Sequence, residues 1–307
     1  MKIIILSPNA DVLFNPELKS KLESSGEVVY VKDIKPISEV SELYQGDEER
    51  ILAIDPDFSN WKVENSDLEK IPNLTGVCLQ TTSFSWIDID FLKNKNIPVM
   101  NLRGFSSEAV AEWAFLMALN VARKIPLVSQ KGWKYNYSDH TGIELKGRTA
   151  GVIGLGSIGA RIAELCSAFG MNVVYWSKNS RDDRFKYVEL EELMKVSDVI
   201  LPAVAQNEDT KSLISDEMLN SMKDKAIFVS IVHKIYNHEL LLKLVKDGKI
   251  YGYANEEEDT RTPELSGNIW TGLQLGWCTE ESMSRNAVQW VESIINASRK
   301  EYPTKVN

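Results

Sequence analysis

Thr149-Ala150-Gly151-Val152-Ile153-Gly154-Leu155-Gly156-Ser157-Ile158-Gly159 is the stretch on which the fold turns. Its first five residues form a short, nearly continuous apolar run, the pattern of a strand buried on both faces. Gly154-x-Gly156-x-x-Gly159 follows at once, and residues 161–169 then read as a helix that Gly170 stops. Each glycine answers a separate need. Gly154 permits the tight turn, Gly156 lets the backbone approach a pyrophosphate, and Gly159 lets helix and strand pack closely. The amides of Ser157 and Ile158 open the helix, where free N–H groups and the helix dipole attract an anion. Strand, turn and helix in this order predict a dinucleotide-binding unit. The bland alternative is a glycine turn that holds no ligand.

Residues 172–175 form the next strand, and its end bears on which dinucleotide is bound. A site for NAD(H) usually places Asp or Glu there to hold the ribose hydroxyls. Here Trp176-Ser177-Lys178-Asn179-Ser180-Arg181 precedes the first carboxylate, Asp182. Ser177, Lys178 and Arg181 suit a 2′-phosphate, so the expected cofactor is NADP(H) rather than NAD(H). A solvated basic loop is the competing reading.

On either side of this unit, short apolar runs alternate with helical stretches. The first series predicts strands at 2–6, 27–31, 51–54, 76–80 and 98–101, with helices at 16–25 and 88–94 between them. A long apolar helix at 106–124 follows, then an aromatic loop at 132–140. A second series predicts strands at 149–153, 172–175, 199–202, 226–231, 251–254 and 272–275, and a closing helix at 280–298. Alternation of this kind predicts an α/β fold of two doubly wound parallel-sheet domains, and 307 residues suffice for two.

A formal charge of −9 argues against nucleic acid or an anionic membrane surface as partner. No apolar run has the roughly 18 residues of a membrane span. Cys78, Cys166 and Cys278 match no metal spacing and read as three buried thiols in a reducing cytoplasm. Only His140, His233 and His238 are available as histidine acids or bases.

Three further motifs stand in one order over residues 70–295. They are Ile97-Pro98-Val99-Met100-Asn101 with Gly104 and Glu108-Ala109-Val110-Ala111-Glu112, then Glu144-Leu145-Lys146-Gly147-Arg148-Thr149, then Leu275-Gly276-Trp277-Cys278-Thr279-Glu280-Glu281. The set resembles the D-2-hydroxyacid dehydrogenases, and its last motif resembles their hydroxypyruvate and glyoxylate reductase branch. The resemblance implies a flavodoxin-like substrate domain from residues 1–101 plus 284–307. It implies a Rossmann dinucleotide-binding domain from residues 102–283. It implies hydride transfer between nicotinamide C4 and a small 2-oxo acid held in the cleft. The substrate carboxylate would meet the amides of the loop 79–84, which contains Thr81, Thr82 and Ser83. A homodimer through the helix 106–124 is implied as well.

The family supplies His as proton donor, Glu to hold that His, and Arg to bind the carboxylate and polarise the carbonyl, as general acid catalysis and charge stabilisation require. The family's Val-Asn-Thr-x-Arg-Gly falls on Val229-Ser230-Ile231-Val232-His233-Lys234, so His233 stands at the Arg position. The acid position falls on Gln274, and the Glu falls in the run 256–259, at Glu258 in the favoured register. An amide does not titrate in the working range, and His lacks the two-pronged donor of Arg. Three readings follow. In the first, the site is rewired: His233 is the acid, paired with a carboxylate of 256–258, and Lys234 or Arg103 supplies the cation. In the second, the substrate is something other than a 2-oxo acid, such as an imine or an activated alkene, for which a hydrogen-bonding Gln274 suffices. In the third, the chain is an inactive NAD(P)-binding sensor or scaffold.

Overall fold

The computed structural model describes residues 1–134, 136–256, 267–272 and 274–307. The chain divides into two compact units, Met1–Ser106 with Thr279–Asn307, and Ser107–Cys278. These divisions differ from 101/102 and 283/284 for local reasons. Phe105 is buried in the first unit's core, and its carbonyl accepts from Arg285 Nε at 2.7 Å, so the crossover stays with that unit as far as Ser106. Thr279 caps the last helix through Ser282 N at 3.1 Å, so the helix takes Thr279 with it.

The first unit is built on a parallel sheet of β1 (Lys2–Leu6), β2 (Glu27–Val31), β3 (Arg50–Ile54), β4 (Leu74–Leu79) and β5 (Val99–Met100), in the order β2-β1-β3-β4-β5. Residues 3–6 and 51–54 are wholly buried, because helices cover both faces of their strands. The helix Glu280–Ser298 returns to this unit. Its Trp290 is fully buried, donates from Nε1 to Cys78 O at 3.1 Å and stacks on Phe14 at 5.4 Å. Strand β3 starts one residue before the apolar run, at Arg50. That guanidinium is wholly buried and donates to the carbonyls of Leu43 and Gly46, both at 2.6 Å, which would otherwise be unsatisfied.

The second unit carries a seven-stranded parallel sheet: β6 (Thr149–Ile153), β7 (Asn172–Trp176), β8 (Lys186–Tyr187), β9 (Val199–Pro202), β10 (Ile227–Ser230), β11 (Gly252–Glu256) and β12 (Ile269–Gly272). The order is β12-β11-β10-β9-β6-β7-β8, with β6 at the point where the order reverses. Strand β12 runs three residues ahead of the predicted 272–275. Asn268 fixes its start by donating to Val121 O at 2.9 Å and Tyr251 O at 3.1 Å, and Tyr253 then pairs with Ile269. Strand β8 was not predicted, since two residues at a sheet edge carry no periodicity.

The helix predicted at 161–169 spans Ser157–Ala168, with Gly156 as its cap, so Gly159 lies in its first turn. The long helix spans Ser107–Ala122 and buries Ala109, Ala111, Ala114, Ala118 and Ala122. Such short side chains let it approach the helix Ser157–Ala168. Glu108 and Arg161 join the two helices at 2.8 Å. The 132–140 loop ends in a short helix, Tyr137–His140, and Trp133 is 69% exposed. Cys78 and Cys166 are buried, and burial pushes both thiols up to about 12. Cys278 is exposed, against expectation, because the segment after β12 runs along the surface. No described helix is long and apolar enough to cross a membrane.

Candidate active site

The carboxyl ends of parallel strands face one edge of a sheet, which gathers the loops after β6, β7, β10 and β12 on one side of the second unit. The glycine turn after β6 has the geometry that the sequence demands. Gly154 has φ 95°, a left-handed conformation costly for other residues, and its N–H donates to Trp176 O at 2.7 Å. A Cβ on Gly159 would lie 1.9 Å from Gly154 O, so helix and strand meet backbone to backbone. A Cβ on Gly156 would meet nothing within 4 Å. The open side of Gly156 therefore stands beside the helix amides of Ser157 and Ile158, and the cradle fits a pyrophosphate. Ser157 Oγ accepts from Ser107 Oγ at 3.0 Å.

The loop after β7 offers cations, Lys178 and Arg181, ahead of its first carboxylate, Asp182. Asp182 is clamped by Arg184, with contacts of 3.0, 3.0 and 2.6 Å, which hold its carboxyl below the usual range. Arg181 lies over the Tyr187 ring at 4.1 Å and donates to Ser177 O and Ser180 O, both at 2.8 Å. Lys178 pairs with Asp209 at 3.0 Å. Tyr187 and Asp209 were not singled out from the sequence, because both act here only through long-range contacts.

His233 follows β10 on a pinned turn. Ser230 Oγ donates to Val232 O at 2.8 Å and accepts from Val232 N at 3.1 Å, and Ser212 N donates to Lys234 O at 3.3 Å. Lys234 has φ 59°, the left-handed conformation that the family's Gly takes freely and that costs Lys about 1–2 kcal/mol. Its side chain is exposed. Gln274 follows β12, and its Nε2 lies 3.1 Å from His233 Nε2. With the amide so placed, its N–H donates to a neutral imidazole protonated on Nδ1. An imidazolium would instead face the amide oxygen after a turn of the amide. Two residues 41 positions apart thus form one polar pair. Glu258 lies outside the described residues. Glu256 is described: it is buried, its Oε1 accepts from Gly276 N at 2.9 Å, and burial pushes its carboxyl up against the opposing pull of the Gly276 and Leu275 amides.

In the first unit, the loop after β4 turns its carbonyls inward. Thr81 O accepts from Leu102 N at 3.1 Å, Thr82 O from Asn101 Nδ2 at 2.7 Å, and Ser83 O from Trp86 Nε1 at 2.9 Å. The N–H groups of Thr81 and Thr82 have no acceptor among the described residues, which suits a carboxylate cradle. Arg103 is exposed, and its guanidinium reaches Lys305 O at 3.4 Å. No group of three or more His, Cys, Asp or Glu side chains gathers to hold a metal ion among the described residues.

Comparison with known proteins agrees with this architecture. Residues 115–267 match the profile of the D-isomer specific 2-hydroxyacid dehydrogenase, NAD binding domain. A hydroxypyruvate reductase of Thermotoga maritima is 32% identical over 246 residues, covering 76% of this chain and 80% of its own. A glyoxylate reductase of Korarchaeum cryptofilum is 28% identical over 305 residues, covering 92% and 90%. Among solved structures, an acyclic imino acid reductase in complex with NADPH and D-Arg superposes with a TM-score of 0.85 at 25% identity, over all of both chains. The chain belongs to the D-isomer specific 2-hydroxyacid dehydrogenase family, and it is an NAD(P)-dependent oxidoreductase of that family.

Proposed function

We propose that this protein is an NADP(H)-preferring reductase of small 2-oxo acids in which His233 donates the proton that the family takes from the residue at position 274. The observation that carries the reading is the 3.1 Å pair of His233 and Gln274 on the same sheet edge as the glycine turn. When bound, the dinucleotide supplies the hydride. Ser157 and Ile158 hold its pyrophosphate, and Arg181, Lys178 and Ser177 hold a 2′-phosphate. The amides of Thr81 and Thr82, with the Ser83 hydroxyl beside them, bind the substrate carboxylate. Arg103 and Lys234 are the cations in reserve for that carboxylate. His233 gives its proton to the forming alkoxide, and Gln274 keeps the ring in place by a hydrogen bond that suits either protonation state.

A second reading has a specific observation behind it. Gln274 is a neutral amide where an acid is expected, and a structural relative is an acyclic imino acid reductase. A protonated imine carries its own proton on nitrogen, so hydride addition at C2 gives the amine directly. No observation favours an inactive sensor.

The deciding experiment follows reduced-nicotinamide absorbance with NADPH and with NADH. The substrates are glyoxylate, hydroxypyruvate, pyruvate and phenylpyruvate, each alone and with excess ammonium or methylamine. Consumption of NADPH by an acid alone is the expected result, with NADPH bound at least about tenfold more tightly than NADH. Consumption only when amine is present would replace the 2-oxo acid by its imine. Tighter binding of NADH would remove the 2′-phosphate assignment.

The long helix also supports a homodimer: Leu116 on Ser107–Ala122 is 43% exposed although the other face of the helix is core. Light scattering is expected to give twice the 34.7 kDa chain mass, with Leu116→Glu shifting it towards one. A monomeric wild type would end that proposal.

A further inference from the structure

Glu256 has no place in the proton transfer just described, yet it is the best-buried carboxylate among the described residues of this sheet edge. It is the last residue of β11, in register with Gly272 of β12, and the next position back pairs with Ser230 of β10. It therefore sits between the strand that leads to His233 and the strand that leads to Gln274. It is 8% exposed, and among the described residues no cation pulls on its carboxyl, only backbone amides. Its Oε1 instead accepts the N–H of Gly276 at 2.9 Å, and the neighbouring Leu275 amide favours the charged carboxyl. Those two residues come directly after Gln274.

Trp113 closes the arrangement from the long helix. A Cβ on Gly276 would lie 3.0 Å from Glu256 Oε1 and 3.0 Å from Trp113 Cδ1. Gly276 is thus held between carboxylate and indole, with its backbone close to both. A buried carboxylate without a cation is costly, and the charge-assisted bond from the Gly276 amide is what offsets part of that cost here. Among the described residues of the segment after β12, Cys278 N donates to Leu275 O at 2.9 Å, and Leu275 and Trp277 are both largely exposed.

We infer that Glu256 is a positioning residue: it tethers the Leu275–Gly276 backbone to the end of β11 and so fixes Gln274 against His233. The inference rests on the reading of His233 and Gln274 as the reacting pair. It differs from the family arrangement that the sequence suggested, in which a carboxylate contacts the histidine itself. Glu256 acts on the backbone two residues beyond Gln274.

The test compares Glu256→Ala and Glu256→Gln with the wild type in two measurements. Amide hydrogen exchange at Leu275 and Gly276 is read in the free protein and in the NADPH complex. Steady-state kinetics give kcat, KM and the pH profile. Glu256→Ala is expected to speed exchange at these two amides and to lower kcat about 10- to 100-fold, the scale of a misplaced catalytic group, while NADPH affinity stays within about twofold. Glu256→Gln keeps an acceptor oxygen and is expected to restore most of the protection and most of the kcat. It would also lose any acid limb that Glu256 contributes to the pH profile. Unchanged exchange in Glu256→Ala overturns the tether. Faster exchange with wild-type kcat overturns its role in catalysis. A wild type that reduces none of the acids sinks the functional reading alone, and the exchange measurement still decides the tether.

Discussion

Gly156→Ala is expected to leave the fold intact and weaken dinucleotide binding, whereas Gly159→Ala is expected to damage the fold itself. The two glycines lie three residues apart in one motif and face opposite physical demands. Gly156 caps the helix with φ −80° and ψ −167°, an extended conformation open to any residue, and a Cβ there meets nothing within 4 Å. Its replacement is expected to cost under about 1 kcal/mol of stability, mostly as a poorer cap. The new methyl would stand where the pyrophosphate must approach, so NADPH affinity is expected to fall about tenfold or more. At Gly159 the added carbon would lie 1.9 Å from Gly154 O and 3.0 Å from Gly154 C. Both are backbone atoms of the strand's exit and cannot swing aside as a side chain would. The helix must shift, and overpacking of this kind costs about 1–3 kcal/mol or more. Thermal melts and fluorescence titrations with NADPH separate the two effects. Equal losses of Tm in both variants, or full NADPH affinity in Gly156→Ala, would contradict the assignment.

The same contrast explains what the sequence discloses. The strands and the glycine turn are local: runs such as Ile3–Leu6 and Val152–Ile153 are buried from both sides, and burial on two faces leaves a continuous apolar signature. Strand β12 was misplaced because its start is fixed by Asn268 reaching Val121 and Tyr251, residues far away in sequence. Arg50 belongs to a strand although it is charged, and only the carbonyls of Leu43 and Gly46 explain why. At the site, the family pattern put His233 and Gln274 at related positions, but their contact at 3.1 Å depends on how two loops leave separate strands. The acidic run shows the limit most clearly. Composition presents Glu256, Glu257, Glu258 and Asp259 as equals, and Glu256 is buried against Gly276. Nothing in spacing marks that burial, because the partner is a backbone amide 20 positions away.

His233→Ala is expected to lower kcat for a 2-oxo acid by about 10²- to 10⁴-fold, the usual contribution of a positioned general acid, with little change in NADPH affinity. The reason is in the chemistry of the two ends of the pair. Hydride addition to a carbonyl leaves an alkoxide that needs a proton, and Gln274 has none to give in the working range. The imidazole beside it does, and neutral water is the weaker substitute in the variant. The variant's pH profile should accordingly lose the limb that a titrating imidazole imposes, while the wild type keeps it. Gln274→Leu supplies the complementary change. It removes the 3.1 Å partner but leaves the acid, so the expected loss is smaller, about tenfold, through a less well oriented ring. An imine alters this ranking, since the proton is already on nitrogen and only orientation is asked of the protein. On that substrate His233→Ala and Gln274→Leu should cost similar, modest factors. The ratio of the two losses, measured with hydroxypyruvate alone and with hydroxypyruvate plus ammonium, therefore identifies the reaction as well as the acid. A large ratio on the free 2-oxo acid assigns the proton to His233. A ratio near one on every substrate would take His233 out of the proton transfer and leave it a binding role beside Gln274.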